Sequence, residues 1–290
     1  MNANGRDLIN QIQKKFPELS KSQKLIAQYI IENYDKAAFM TASKLADKVG
    51  VSESTVVRFA DALGLDGYPQ LRKGLEDIIK LKLTTVQRVE LAGEYSDGGS
   101  ILKKVLGIDM NNIRVTLENI DYDIFQQVVN EICKAEKIYI VGLRSSMSLA
   151  DYFGFYLNLI LDNVKIVHHG ISNIFDQVFR VSKTDIVIGI GFPRYSMQTV
   201  DALSYVKEQG VTIVGITDSL SSPIANLADY TLTAKSDMVS FVDSLVAPLS
   251  LINALVVAIG MFEKEEITEH LNVLEDIWKK YNVYQRWNQG

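Results

Sequence analysis

The sequence predicts an α/β protein in two parts: an all-helical N-terminal domain containing a helix-turn-helix, then a flavodoxin-like αβα domain around a five-stranded parallel sheet. Three observations carry that prediction. Residues 41–63 read as two short helices joined by a tight turn. From Lys137 onward, short β-rich runs alternate with helical patterns. Between the two, from about Leu83 to Ser100, the apolar pattern fades and Gly93, Gly98 and Gly99 appear with Ser96 and Asp97, the composition of a linker. The expected division is 1–82 for the helix-turn-helix domain, 83–100 for the linker and 101–290 for the αβα domain.

Taken in order, Ser20-Lys-Ser-Gln23 has the form of a capping box, and Ile26, Tyr29, Ile30 and Asn33 run along one face of the helix it opens. A short helical turn around Lys36 to Met40 follows. In the first helix of the pair, Leu45, Ala46 and Val49 share a side; Gly50-Val51 is the turn. Ser52 caps the second helix, which directs Val56, Phe59, Ala60 and Leu63 inward. Gly64 sits where a left-handed residue ends a helix, and Gly67-Tyr68-Pro69 opens the next, with proline in its first turn. An ordinary αα-hairpin fits the central pattern equally well, and the flanking helices favour the DNA reader. In a reader, the polar end of the second helix meets bases and phosphates. The expected DNA-binding residues are Ser52, Ser54, Thr55 and Arg58, with Lys44 on the preceding helix and Arg72 and Lys73 on the following one.

Helical periodicity resumes at Ile101, with Leu102, Val105, Leu106, Ile113 and Leu117, and again from Ile124 through Val128, Val129 and Ile132. The β-rich runs are KIYIVG, VKIVHH, DIVIGIGF, VTIVGITD and YTLTAK; the intervening helices are expected at Ser146 to Leu161, Ser172 to Val181, Ser196 to Gln209 and Pro223 to Leu227. Five such strands take the order 2-1-3-4-5, with a ligand crevice at the carboxyl edge where strands 1 and 3 diverge. Two loops meet there, Gly142-Leu-Arg-Ser-Ser146 and Gly191-Phe-Pro-Arg-Tyr-Ser196. Each brings hydroxyls and backbone N–H groups to the start of a helix, which suits an anion. The bland reading makes Ser145, Ser146 and Ser196 simple helix caps. The expected ligand-binding residues are Arg144, Ser145, Ser146, Arg194, Tyr195 and Ser196, with His168 at the end of strand 2 and Asp243 and Ser244 ahead of the last long apolar helix. His168 and His169 also read as polar strand-end residues, and Asp243 and Ser244 as a helix cap and an interface contact.

Composition bounds the function. At 290 residues with 47% hydrophobic side chains, the chain can bury a large core. Residues 1–80 carry twelve Lys or Arg against ten Asp or Glu, so a net charge of +2 sits at the N-terminus while the whole chain is at −5. That confines a phosphate contact to the N-terminal piece. Cys133 is the sole cysteine, which excludes an intrachain disulfide and a zinc cluster built on cysteines and implies a reducing, cytoplasmic setting. The first residues lack the apolar core of a signal peptide. The run from Val246 to Phe262 is interrupted by Pro248, Ser250 and Asn253, so no membrane association is expected. Its stripe of Leu245, Leu249, Ile252 and Val256 reads as core or dimer seam.

The segment from Ser20 to Leu75 resembles the N-terminal domain of the RpiR family of bacterial transcription regulators nearly end to end, and GVSESTVVRFADALGLDGYPQLR is its most family-specific part. The resemblance implies a DNA-binding domain joined to a sugar isomerase (SIS) domain that senses a sugar phosphate. From Ile101 to Ile259 the chain is similar to SIS domains: Ser145 and Ser146 match the first-loop serines, and SLSSPIANLAD, Ser219 to Asp229, resembles the turn and helix after the fourth strand. Two positions depart from the pattern. The second glycine usual in the first loop is Arg144, and the hydroxyl-rich second loop reads FPRYS, where only Ser196 carries over.

Two classes of function fit. One is a regulator whose symmetric homodimer or tetramer presents paired helix-turn-helices to a palindromic double-stranded DNA operator and whose second domain binds an anionic sugar metabolite. The other is a sugar phosphate isomerase on the same αβα domain. An isomerase needs a base to shuttle a proton between carbons, and neither loop supplies Asp, Glu, His or Lys, although the helix bearing Glu269 and His270 could. A regulator with a vestigial pocket is the third reading. The expectation is a non-enzymatic regulator without catalytic residues, metal or cofactor.

Overall fold

The computed structural model describes residues 5–82, 98–168, 172–238, 242–262 and 264–284, with Val86 and Gly170. The chain divides into two compact units, Met1–Glu90 and Leu91–Gly290.

The first unit is helical: α1 (Gly5–Lys15), a 3-10 turn (Phe16–Glu18), α2 (Lys21–Glu32), α3 (Tyr34–Ala37), α4 (Ala42–Val49), α5 (Glu53–Ala62) and α6 (Gly67–Lys82). The capping box is formed in both directions, with Gln23 N–H donating to Ser20 Oγ at 3.4 Å and Ser20 N–H to Gln23 Oε1 at 3.0 Å. The inward residues converge as their spacing requires: Ile26, Ile30, Leu45, Val56, Phe59 and Leu71 are all fully buried. Gly50 ends α4 in the left-handed region at φ 76°, and Gly50 and Val51 N–H both reach the Ala46 carbonyl, closing the turn that swings α5 across α4. Helix α1 is an element the periodicity reading did not assign. It buries Leu8 and Ile12, four residues apart, against the same core.

The second unit runs α7 (Gly98–Asn119), α8 (Tyr122–Lys134), β1 (Ile138–Gly142), α9 (Met147–Ile160), β2 (Val164–Val167), α10 (Ile174–Val178), β3 (Ile186–Ile190), α11 (Met197–Glu208), β4 (Thr212–Thr217), β5 (Tyr230–Thr233), α12 (Val246–Phe262) and α13 (Lys264–Tyr281). The sheet is all parallel in the order β2-β1-β3-β4-β5, as five strands with helical crossovers require. Alternate residues of each strand serve opposite layers. Ile138, Ile140, Ile186, Ile188, Val214 and Ile216 face a core completed by α8, α9 and α12. Tyr139, Val141, Val187 and Ile213 face the one completed by α10 and α11.

Two local expectations change. The linker was expected to reach Ser100, yet α7 already begins at Gly98; residues 83–85 and 87–97 of that expectation lie outside the described residues. Pro223 to Leu227 is a run of turns and not a helix. Ser222 Oγ accepts from Ala225 N–H at 2.9 Å as an N-cap would, but the main-chain bonds that follow alternate in span, Asn226 N–H to the Ser222 carbonyl and Leu227 N–H to the Ile224 carbonyl, both at 3.1 Å, so no continuous helical ladder forms. The stripe read as core or dimer seam packs on the core: Ile252 of α12 is fully buried, and Leu245 just ahead of the helix, with Leu249 and Val256 on it, packs partly buried against the sheet core.

Candidate functional site

The reader is built on α5. Val56, Phe59 and Ala60 fix its inner face in the core, while α4 and α6 pack against it. Its first turn is locked by one hydroxyl: Ser52 Oγ accepts from Thr55 N–H at 3.3 Å and lies 2.9 Å from Ser54 Oγ and 2.8 Å from Thr55 Oγ1. Ser52 and Thr55 are therefore shaping groups first, and the outward groups of the turn are Glu53, Ser54 and Arg58, all exposed. Gln23 Nε2 donates to the Arg58 carbonyl at 3.4 Å, fastening α2 to the helix that presents the guanidinium. Lys44 and Lys73 are exposed; Arg72 Nε meets Glu76 Oε1 at 3.1 Å, an i,i+4 pair that offsets its charge. Val57, 38% exposed on the same helix face, went unread because an apolar residue beside Val56 looks like core. A thymine methyl is the kind of surface such a side chain meets.

In the second unit, Gly142 at the end of β1 pairs with Ile190 at the end of β3, so the two loops leave the sheet side by side. Gly142 admits the first loop closely: a Cβ there would lie 2.9 Å from the Ser146 carbonyl oxygen. Residues Arg144–Ser146 form a 3-10 turn leading into α9. Arg144 at φ 58° and Arg194 at φ 63° both adopt the left-handed conformation, which costs an L side chain roughly 1–2 kcal/mol. Both guanidinium-bearing residues are exposed, one per loop. The shared strain falls on the one arginine of each loop.

The serines do not act as caps: neither Ser146, which is buried, nor Ser196 makes a side-chain capping bond. Ser145 Oγ donates to Asp243 Oδ2 at 3.2 Å. Tyr195 OH donates to Asp218 Oδ1 at 2.6 Å, and Thr217 Oγ1 reaches the same oxygen at 3.3 Å, tying the second loop to the end of β4. Ser244 is turned elsewhere, its hydroxyl donating to Asp109 of α7 at 2.5 Å. His168 lies just past β2, with Nδ1 3.4 Å from Asp151 Oδ1 on α9, and its main chain is clamped in both directions by the Gln177 amide. His169 lies outside the described residues. Thr199, in the first turn of α11 behind Ser196, is 1% exposed, and its Oγ1 has no hydrogen-bond partner among the described residues. Its signal in the sequence was present but weak, a threonine three residues into a helix. Glu269 and His270 are exposed on α13. Hydroxyls, helix-start N–H groups and two arginines make an edge suited to holding an anion.

An exposed polar helix end on a helix-turn-helix, joined in one chain to an αβα domain, defines a two-domain DNA-binding transcriptional regulator. Residues 6–81 match the family model for the helix-turn-helix domain of the rpiR family, and residues 131–258 match that for the SIS domain. The chain belongs to the rpiR family of helix-turn-helix regulators that carry a SIS domain. It is similar to an uncharacterized HTH-type transcriptional regulator of Haemophilus influenzae, 26% identical over 79% of this chain and 80% of that one. It is also similar to the HTH-type transcriptional regulator HexR of Pseudomonas aeruginosa, 21% identical over 93% and 95%. Among solved structures, the sugar isomerase domain of an RpiR transcription factor from Sphaerobacter thermophilus is 29% identical with a TM-score of 0.57, covering 60% of this chain and 97% of that one. The Vibrio vulnificus NanR protein complexed with ManNAc-6P shares the fold over 94% of this chain and 98% of that one, at 20% identity and a TM-score of 0.59. Among the described residues, no single helix is long and apolar enough to cross a membrane.

Proposed function

We propose that the SIS domain of this regulator binds an anionic sugar metabolite, a phosphosugar or phosphorylated sugar acid, at the carboxyl edge of β1 and β3, and that binding controls operator affinity. The observation that carries the reading is the pair of left-handed arginines, one in each loop. Strain accepted twice at adjacent loops is the mark of a functional constraint, and a guanidinium matches phosphate or carboxylate oxygens in a bidentate fork. Arg144 and Arg194 bind the charged group, with Ser145, Ser146, Tyr195 and Ser196 supplying hydroxyls around it. The complex of the Vibrio vulnificus relative with ManNAc-6P supports the ligand class. The helix-turn-helix meets double-stranded DNA in the cytoplasm through Arg58, Ser54 and Lys73, with Lys44 and Arg72 at its flanks. The protein works without catalysis, and its relatives named as transcriptional regulators support that. A homodimer or tetramer presents two readers to a palindromic operator.

The test is calorimetric titration of wild type and Arg194→Ala with a panel of phosphosugars and sugar acids. A charge-assisted hydrogen bond contributes about 1.5–3 kcal/mol, so the variant should bind roughly ten- to a hundred-and-fifty-fold more weakly. Its ligand-free affinity for operator DNA should stay at the wild-type value. Equal effector affinity in the two proteins rejects the role of Arg194.

A further inference from the structure

Asp243 and Ser244 are neighbours in the segment that joins β5 to α12, and they bond in two directions. Asp243 accepts from Ser145 in the first loop, at 3.2 Å. Ser244 donates to Asp109 of α7, at 2.5 Å. Further bonds fasten the same segment to the same helix. The fully buried Asn112 donates to the Asp237 carbonyl at 2.9 Å and accepts from Asp237 N–H at 3.3 Å. Thr116 Oγ1 accepts from Lys235 N–H at 2.8 Å. Asp109, Asn112 and Thr116 are spaced three and four residues apart, so one face of α7 is stitched along this strap.

A serine hydroxyl has one proton to donate, and in the structure a carboxylate of the protein's own chain takes it. An effector's phosphate oxygen bonding to Ser145 needs that same proton and repels that same charge. Building on the effector reading above, we infer that Asp243 is an internal competitor for the anion site, and that the effector displaces it and slackens the Ser244 tie to α7. The signal thereby passes from the β1 loop to the helix that follows the linker. The strap converts occupancy of a loop by an anion into a change in the anchoring of a helix, through two consecutive residues.

Amide hydrogen exchange on the full-length protein tests the link and titration tests the competition. In the absence of ligand, Asp243→Ala should exchange several-fold faster than wild type in peptides covering 105–117. With glucose 6-phosphate, 6-phosphogluconate and N-acetylmannosamine 6-phosphate as probes, Asp243→Asn should bind at least one of them about three- to tenfold more tightly than wild type does. That probe at saturation should speed α7 exchange in wild type toward the ligand-free level of Asp243→Ala. In Ser244→Ala, the probe-induced change in α7 should vanish, because the tie is already cut. Unaltered or weaker probe binding by Asp243→Asn, or α7 exchange that a bound probe leaves unmoved, overturns the inference while the effector reading stands. Failure of every probe to bind wild type and Asp243→Asn alike overturns both.

Discussion

Arg58 and Arg144 show two ways in which the backbone presents a single exposed guanidinium. Arg58 projects from a helix whose other face is immobilised by fully buried Val56 and Phe59, so its guanidinium starts from a fixed base. Arg58→Ala should cost about 1–3 kcal/mol of operator affinity where the contact is bidentate to guanine. In gel-shift titrations the loss should be larger on operator than on random DNA; an equal loss on both, with a shallower salt slope, assigns the contact to phosphate. Arg144 sits at φ 58°, a conformation that suits glycine. Arg144→Gly should therefore leave the SIS domain at least as stable in urea unfolding, while effector binding weakens, a separation that a purely structural role would not give. Residue identity was legible at both positions, since an arginine where the first loop usually has glycine stood out in the sequence alone. Backbone conformation was not: no pattern of types announces φ > 0 at arginine. Nor could the sequence reveal that Asp243 and Ser244 serve different partners, because that depends on tertiary contacts made across 98 and 135 positions of chain.

At the scale of elements, periodicity carried most of the fold. The parallel strands, their order and the two helices of the reader follow from apolar runs and 3.6-residue spacing, signals that survive because the same residues must be buried. The misses have local causes. Helix α1 offered only Leu8, Ile9 and Ile12 in a polar stretch, too little to register until the other helices close over them. Pro223 to Leu227 had helical spacing, yet its main-chain bonds mix three- and four-residue spans and close only turns. One contact between elements yields a pH prediction. Tyr68 at the start of α6 donates its phenol to the Met40 carbonyl at 2.8 Å, and burial is the main cause raising its pKa above the ordinary 10.0. The folded state holds that proton more tightly than the unfolded chain. This share of stability is thus complete below about pH 10 and drains away as pH rises through the folded value. Tyr68→Phe should cost about 1 kcal/mol at neutral pH by loss of one hydrogen bond and should flatten the alkaline fall of the helical unit, read by denaturant titration between neutral and alkaline pH.

For the whole molecule, the question is what covers the outward side of α7. Leu102, Leu106, Met110, Ile113 and Leu117 recur at three- and four-residue intervals, and Met110 is 71% and Leu117 63% exposed in the single chain. Beside them, a cleft of about 300 Å³ opens between α7, the start of α8 and α12, lined by Ile113, Leu117, Tyr122, Phe125 and Leu251. Contiguous apolar surface of this kind marks an association site. We expect a second copy of the chain there, which would supply the two-fold symmetry a paired operator demands. The double variant Met110→Glu with Leu117→Glu should shift the protein toward monomer in light scattering at micromolar concentration and lose affinity for a paired operator more than for a half-site. A wild-type monomer under the same conditions would leave the paired reader without a scaffold.

The two outer strands of the sheet, β2 and β5, are four residues each, while the inner ones have five or six. A sheet edge is a template on which foreign strands can add, and its danger grows with its length and flatness. On β2 the exposed Lys165 spans to the Gln177 carbonyl at 2.7 Å, setting a charge in the middle of an already short border. A sheet bordered in this way resists polymerising through its strands, which leaves association to surfaces where geometry limits the number of partners.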